Sequence, residues 1–386
     1  MVEHQSTRQG FLRLITCLVS LHACLMTSRV ASSLWVLNAG LGDWTVGLLL
    51  SLFSVGPLVL SLWSGRLADR YGFHLPMGLS AALALAGTVI AGVYQSLETL
   101  AACALLNGAA VSIGEVAIQR TAGKMAAHGA DLRRVFSAIA LSSSMSNVLA
   151  PAVAGLVIDY AGYAPAYLLA AALPALAWWI GRRVVREDMA TARRNVPLGE
   201  ALQLLSIESV RKLLLINLLL SAAWDVHFFA VPVIGHDRGI SASSVGAILS
   251  SCAMGATLVR VLIARWADRF DERLTLLSVT IVTMVMLMAY NWLPGVPGMM
   301  AGSAVLGMAI GSVQPMILSA MHKVTPPARH GQILGLRMLA TNGATAGMPL
   351  IFGALATLGG AVIPMWMIAG VLGLSTRLLR KPRPND

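Results

Sequence analysis

Apolar residues run along this chain in long blocks broken by short polar stretches. Twelve such blocks can be placed near residues 13–36, 44–64, 74–95, 97–119, 134–158, 162–181, 212–234, 243–264, 274–292, 297–320, 331–356 and 361–379. About 20 mainly apolar residues suffice to cross a bilayer as a helix, because lipid offers the backbone no hydrogen-bond partner and a helix satisfies its own N–H and C=O groups. The pattern predicts an all-α membrane protein of twelve transmembrane helices, with neighbours antiparallel because their connections are mostly short. Composition agrees: of 386 residues 57% are hydrophobic and only 12% charged, which excludes a soluble globular domain.

Charge refines this picture. A net charge of +11 would suit a nucleic-acid partner only if the basic residues shared a water-exposed face. Instead Arg66, Arg70, Arg120, Lys124, Arg133, Arg134, Arg182, Arg183, Arg186, Arg193, Arg194, Arg211, Lys212, Arg265, Arg269, Arg273, Lys323 and Arg329 fall in or beside even-numbered connections, and the odd-numbered ones contain only Arg238. Basic loops stay on the cytoplasmic side during insertion, so both chain ends and the long central loop are expected inside the cell, with the protein multi-pass in the inner membrane. The excess is topological and leaves no nucleic-acid footprint. Leu21-His22-Ala23-Cys24 faintly resembles a lipoprotein cleavage box, but the apolar run continues to about Leu37, long enough to be retained as the first helix. Cys17, Cys24, Cys103 and Cys252 all lie within spans, without the spacing of a disulfide framework or a zinc site.

The chain also repeats itself. Thr45-Val46-Gly47-Leu48-Leu49-Leu50-Ser51 matches Ser244-Val245-Gly246-Ala247-Ile248-Leu249-Ser250 at an offset of 199 positions. Ala68-Asp69-Arg70 matches Ala267-Asp268-Arg269, Gly108 matches Gly307 and Lys124 matches Lys323 at the same offset, while Pro151 and Gly155 match Pro349 and Gly353 at 198. Units of six spans enter from the same side, so the halves form a parallel repeat about an axis along the membrane normal, with the substrate path between them. The expected organisation is an N-terminal six-helix bundle over 1–181, a cytoplasmic linker over 182–212 and a C-terminal bundle over 213–386. Leu, Ile and Val at helical spacing between Pro197 and Leu213 predict an interfacial amphipathic helix.

The connection between the second and third spans reads Gly65-Arg66-Leu67-Ala68-Asp69-Arg70-Tyr71-Gly72. With its partial copy at Asp268 and Arg269, this resembles the signature loop of the major facilitator superfamily of transporters. The resemblance covers essentially the whole chain and implies alternating access by two rocking six-helix bundles, in a monomer. It further implies that Asp69 sits near a helix N-terminus across the interface, where the macrodipole favours a negative charge by roughly 0.3 to 1 kcal/mol, and so latches the cytoplasmic side. Phe73 stands where the family pattern carries a basic residue. Ser146, Ala150-Pro151 and Ala154-Gly155 resemble a worn glycine-proline motif of drug/proton antiporters; small residues that let helices approach closely are the plain alternative.

Charges inside spans cost about 2.5 to 3.5 kcal/mol each on insertion scales, so the few present here stand out. Arg29 in the first span and Asp225 in the seventh lie roughly 20 Å from the cytoplasmic ends of their helices at 1.5 Å per residue. They are expected to meet in the cavity, with Asp225 as proton-coupling carboxylate, Arg29 as substrate ligand or structural partner, and His22, Trp224 and His227 nearby. Glu115 lies in the cytoplasmic third, a second coupling candidate. Related transporters imply that it could join Arg337 and Asp69 in a cytoplasmic gate. Gln119, Asn147, Gln314 and Asn342 can orient a ligand or bond between helices.

No phosphate-binding Gly-rich loop, His-Glu-x-x-His or Gly-x-Ser-x-Gly motif occurs, so neither ATP coupling nor familiar hydrolysis is indicated, and no cofactor or metal is expected. The expected activity is secondary transport of a small organic molecule, probed first as proton-coupled efflux and second as uptake of an organic acid. A non-transporting sensor on the same fold is the third reading.

Overall fold

The structure, a computed structural model, describes residues 2–125, 129–184, 203–265, 271–325 and 329–379. The N-terminal half contains α1 (Val2–Asn38), α2 (Asp43–Tyr71), α3 (His74–Val93), α4 (Leu97–Met125), α5 (Gly129–Ala161) and α6 (Tyr163–Gly181). A 3-10 turn (Gln203–Ser206) precedes α7 (Glu208–Asp237), α8 (Ala242–Arg265), α9 (Glu272–Ala289), α10 (Gly295–Gly311), α11 (Val313–Val324), α12 (His330–Gly359) and α13 (Val362–Leu379). Among the described residues, 11 helices are long and apolar enough to cross a membrane, with α10 and α11 sharing one crossing, and Val362–Thr376 supplies a shorter apolar segment.

Most span edges fall where the hydropathy pattern puts them. Two elements differ. The tenth span is not one rod: it breaks at Ser312, whose hydroxyl bonds the Ala309 carbonyl at 2.8 Å in place of a regular helical turn. The amphipathic helix expected from Pro197 to Leu213 falls partly outside the described residues. In its described portion the chain makes the 3-10 turn and then enters α7 directly at Glu208.

Within the N-terminal half α4 packs on α1, α2 and α3, and α6 on α1 and α3; in the C-terminal half α8 packs on α10, α9 on α13, and α7 on α12 and α13. The halves meet through α2 against α12, α5 against α8, and α1 against α7. The start of α1 and the end of α13 lie on one face of the bundle, called proximal here; the other is distal. Apolar side chains such as Val59 (66% exposed) and Leu358 (78%) point outward, an arrangement that water would penalise and lipid accepts.

The sequence repeat has a structural meaning. A Cβ on Gly56 or Gly108 would strike the backbone of the facing helix in the α2–α4 pair, and the same holds for Gly255 and Gly307 in the α8–α10 pair. These are counterparts at offset 199. In lipid there is no hydrophobic gain from joining helices, so close backbone approach supplies the association through dispersion contacts.

Candidate functional site

At the distal face the halves touch backbone to backbone. A Cβ on Gly47 of α2 would meet the Pro349 carbonyl and lie 3.0 Å from Gly353 Cα on α12; a Cβ on Gly246 of α8 would meet the Pro151 carbonyl and lie 3.2 Å from Ala152 Cα on α5. The residues of the Pro151/Gly155 motif and their counterparts Pro349 and Gly353 are thus the surfaces on which the opposite half rests. Asp159, near the end of α5, adds a polar bond. Its Oδ1 and Oδ2 accept from the backbone N–H groups of Ala242 (2.9 Å) and Ser243 (2.8 Å), the first residues of α8. A carboxylate there satisfies orphan donors and meets the positive end of the helix dipole.

Toward the proximal face the contacts change. Here α4 stays on the helices of its own half, and α11 on α7, α9, α10 and α12. Among the described glycines, those that seat one half against the other are all distal. Among the described residues, the close backbone approach between the halves is thus concentrated on the distal face.

Arg29 of α1 and Asp225 of α7 face one another across the interface between the halves. Their charges interact across the α1–α7 contact without a direct ion pair within 4.0 Å. Asp225 is 5% exposed, Thr345 of α12 lies beside its carboxyl group, and its Oδ2 is buried without a hydrogen-bond partner. A buried carboxylate oxygen with no donor is expensive, so a proton or a ligand donor has an energetic vacancy to fill. Trp224 stacks on Phe228 with ring centroids 5.0 Å apart. His227 does not join them: two residues on, it points about 200° around the helix, is wholly buried, and bonds through Nε2 to Ser303 at 2.9 Å, whose hydroxyl also meets Tyr290 at 2.7 Å. Its place is the interior of the C-terminal half, away from the path.

Glu115 pairs with His22 (3.5 Å) and accepts from Gln119 Nε2 at 2.9 Å. These three come from α1 and α4, so they form a polar cluster on the wall of the N-terminal half. Gln314, just after the helix break, is exposed and Asn342 half-buried; Asn147 has a buried Oδ1 without a partner.

The expected gate of Glu115, Arg337 and Asp69 is not assembled. Asp69 accepts from Arg120 Nε at 2.8 Å within its own half, Glu115 is held by His22 and Gln119, and Arg337 has a buried Nε with no partner. The reason is geometric: α12 does not pack closely on α4, and both acids are held by partners within their own half. The rest of the signature loop shapes the turn. Gly72 takes φ 68° and its N–H closes on the Ala68 carbonyl, Arg70 lies 5.2 Å over the Tyr71 ring, and no neighbour approaches Gly65. Asp268 and Arg269 lie outside the described residues.

Two participants escaped the sequence reading. Asp159 reads as the polar end of a span, and only its position opposite a serine-rich helix start, Ser241-Ala242-Ser243-Ser244, hinted at capping. Arg260 was visible only as an in-span charge. In the structure its Nη1 donates to Ser144 Oγ of α5 at 2.8 Å and its Nε to the Gly311 carbonyl at 3.3 Å.

Comparison with known proteins agrees with this architecture. The chain is similar in structure to the nucleoside transporter NupG (TM-score 0.78, 16% identity, covering 96% of this chain and 98% of that one). It is also similar to a POT family transporter in complex with thioalcohol-conjugated peptide or with 5-aminolevulinic acid (TM-score 0.73, 12% identity, covering 95% and 94%). No curated protein matches the chain significantly. The family model described as the Major Facilitator Superfamily matches residues 16–220 and 213–386, and the chain belongs to that family of membrane transporters.

Proposed function

We propose that this transporter is a proton-coupled secondary carrier of a small organic molecule, with Asp225 as the residue that takes up and releases the proton. The observation that carries the reading is the buried, unpartnered Oδ2 of Asp225 beside Arg29 in the centre of the path. Protonation removes the cost of the bare oxygen, and deprotonation restores the attraction to Arg29, so each proton state favours a different arrangement of α1 against α7. Glu115, open on the proximal side and held by His22, is the reserve proton site. The proximal face is cytoplasmic in this reading, the membrane is the inner one, and the molecule works as a monomer. The working direction is export, after the drug/proton antiporter resemblance at Pro151 and Gly155.

The test is flux in proteoliposomes across the panel of small organic solutes. An imposed pH gradient should drive uphill movement in the native protein, while Asp225→Asn keeps solute-for-solute exchange and loses gradient-driven accumulation. Undiminished accumulation in Asp225→Asn would remove Asp225 from the role. The sign of the gradient that drives movement fixes export or import.

A further inference from the structure

The interior of the path holds more positive than negative charge, and the surplus sits at identifiable side chains. Its acids are committed: Asp225 faces Arg29, Glu115 is held by His22 and Gln119, and Asp69 is bonded to Arg120. Arg260 and Arg337 remain. Among the described residues neither has a carboxylate within 4.0 Å. Arg260 is half-buried and bonded only to neutral oxygens, Ser144 Oγ and the Gly311 carbonyl. Arg337 is half-buried and its Nε has no partner at all.

A guanidinium keeps its charge at any working pH and offers five N–H donors in a planar fork matched to carboxylate and phosphate. Arg260 spends one on Ser144 and one on Gly311, and its Nη2 has no protein acceptor. An uncompensated charge at membrane depth is costly and calls for a counter-ion. By helix position Arg260 lies about 27 Å from the distal end of α8 at 1.5 Å per residue, and Glu115 about as deep along α4. This places the fork at the depth of Glu115, between Ser144 of α5 and Gly311 at the end of α10.

Arg260 also sits at a mechanical junction. Through Ser144 it touches the other half, and through Gly311 it touches the break between α10 and α11, where a Cβ on Gly311 would lie 2.5 Å from Ala256 Cα. A ligand that draws the guanidinium competes with Ser144 and Gly311 for its donors, and so acts on the contact between halves and on the tenth span together.

We propose that Arg260, assisted by Arg337, is the anion-recognising part of the transport site, and that the substrate is an organic molecule carrying an ionised acid group. This rests on the reading of the chain as a carrier with a central path, and does not depend on which residue holds the proton.

The experiment is ligand-induced thermal stabilisation and calorimetric binding on the purified full chain in detergent. The probes are a panel of organic carboxylates, phosphate monoesters and size-matched amines. Carboxylates or phosphate esters should stabilise the native protein and amines should not; the two acid arms decide which acid is read. Arg260→Gln should weaken binding of the effective acid by roughly 10- to 100-fold, the range expected for hydrogen bonds to a charged group. Arg260→Lys should retain part of it, and Arg337→Gln should weaken it less. Loss of affinity in Arg260→Gln counts only where its gel-filtration profile matches the native one; if it does not, Arg260→Lys and Arg337→Gln carry the test. Stabilisation by amines with unchanged affinity in the Arg260 and Arg337 variants overturns the proposal, as does failure of every acid to stabilise the native chain. Acid binding that survives in Asp225→Asn without proton coupling would sustain this site and sink only the assignment of the coupling residue.

Discussion

The two interfaces between halves, α5 on α8 and α2 on α12, are copies of one another in backbone and differ in chemistry. In each a glycine near the start of one helix lies against the proline of the other, Gly246 on Pro151 and Gly47 on Pro349, and the following glycine of the motif meets the helix start, Gly155 at Ala242 and Gly353 at Trp44. The α5–α8 interface carries two polar links, Asp159 onto the N-terminus of α8 at the distal end, and Ser144 with Arg260 about 22 Å along α5 toward the proximal end at 1.5 Å per residue. The counterpart positions are Thr357, whose hydroxyl turns back to the Ala354 carbonyl of its own helix at 2.7 Å, and Asn342 with Ser61. At the start of α2 stands Asp43 where α8 has Ala242, so that helix end already has its own acid. Steric closure is symmetric, and among the described residues the distal polar clasp, Asp159 on the start of α8, is on one side. It follows that α5–α8 is the clasped edge of the distal closure and α2–α12 the edge that parts with less work.

The largest effect should come from the shared steric element. Gly246→Val or Gly47→Val drives a side chain into a facing carbonyl, at a cost of about 1 to 3 kcal/mol or more. Either should hold the distal face open and stop transport, read as labelling of a cysteine placed at the distal end of the path; unchanged labelling would show that the close approach is dispensable. Asp159→Asn should come next. Loss of the charge at the helix start removes about 0.5 to 2 kcal/mol, enough to raise distal labelling several-fold while leaving folding intact. Thr357→Asp sharpens the contrast: near Asp43 it introduces a like charge, so it should loosen the α2–α12 edge where a symmetric machine would be tightened. The same labelling assay decides. The smallest effect is Ser144→Ala, which deprives Arg260 of one neutral acceptor and should change distal labelling by less than Asp159→Asn, on the order of 1 kcal/mol.

Most of the fold was legible in the sequence, because its determinants are local or periodic. Apolar block length gives the spans, and the offset that aligns Gly47 with Gly246 aligns the interfaces they build. The break at Ser312 was not legible: Gly311-Ser312 inside an apolar run reads equally as a continuous helix. For the site, the electrostatic interaction of Arg29 with Asp225, short of an ion pair, is what matching depth suggests, since few charges share that level. The fate of Asp69 could not. The family pattern places an acid on a helix N-terminus across the interface, and in this structure that physics operates at Asp159 on the distal face, while Asp69 on the proximal face turns to Arg120. The sequence carries both acids, and nothing local to either distinguishes the one that caps a helix across the interface from the one that pairs within its own half. His227, two residues from Asp225, lies on another face of α7 and bonds to Ser303, as the helical step between the two positions requires.

The most direct measurement of the central claim is proton release when substrate binds to purified protein in weakly buffered detergent solution, comparing the native chain with Asp225→Asn. Coupling through Asp225 requires a pH-dependent release or uptake in the native protein that disappears in the variant while substrate still binds. An equal proton exchange in Asp225→Asn would contradict it and move the coupling site to Glu115.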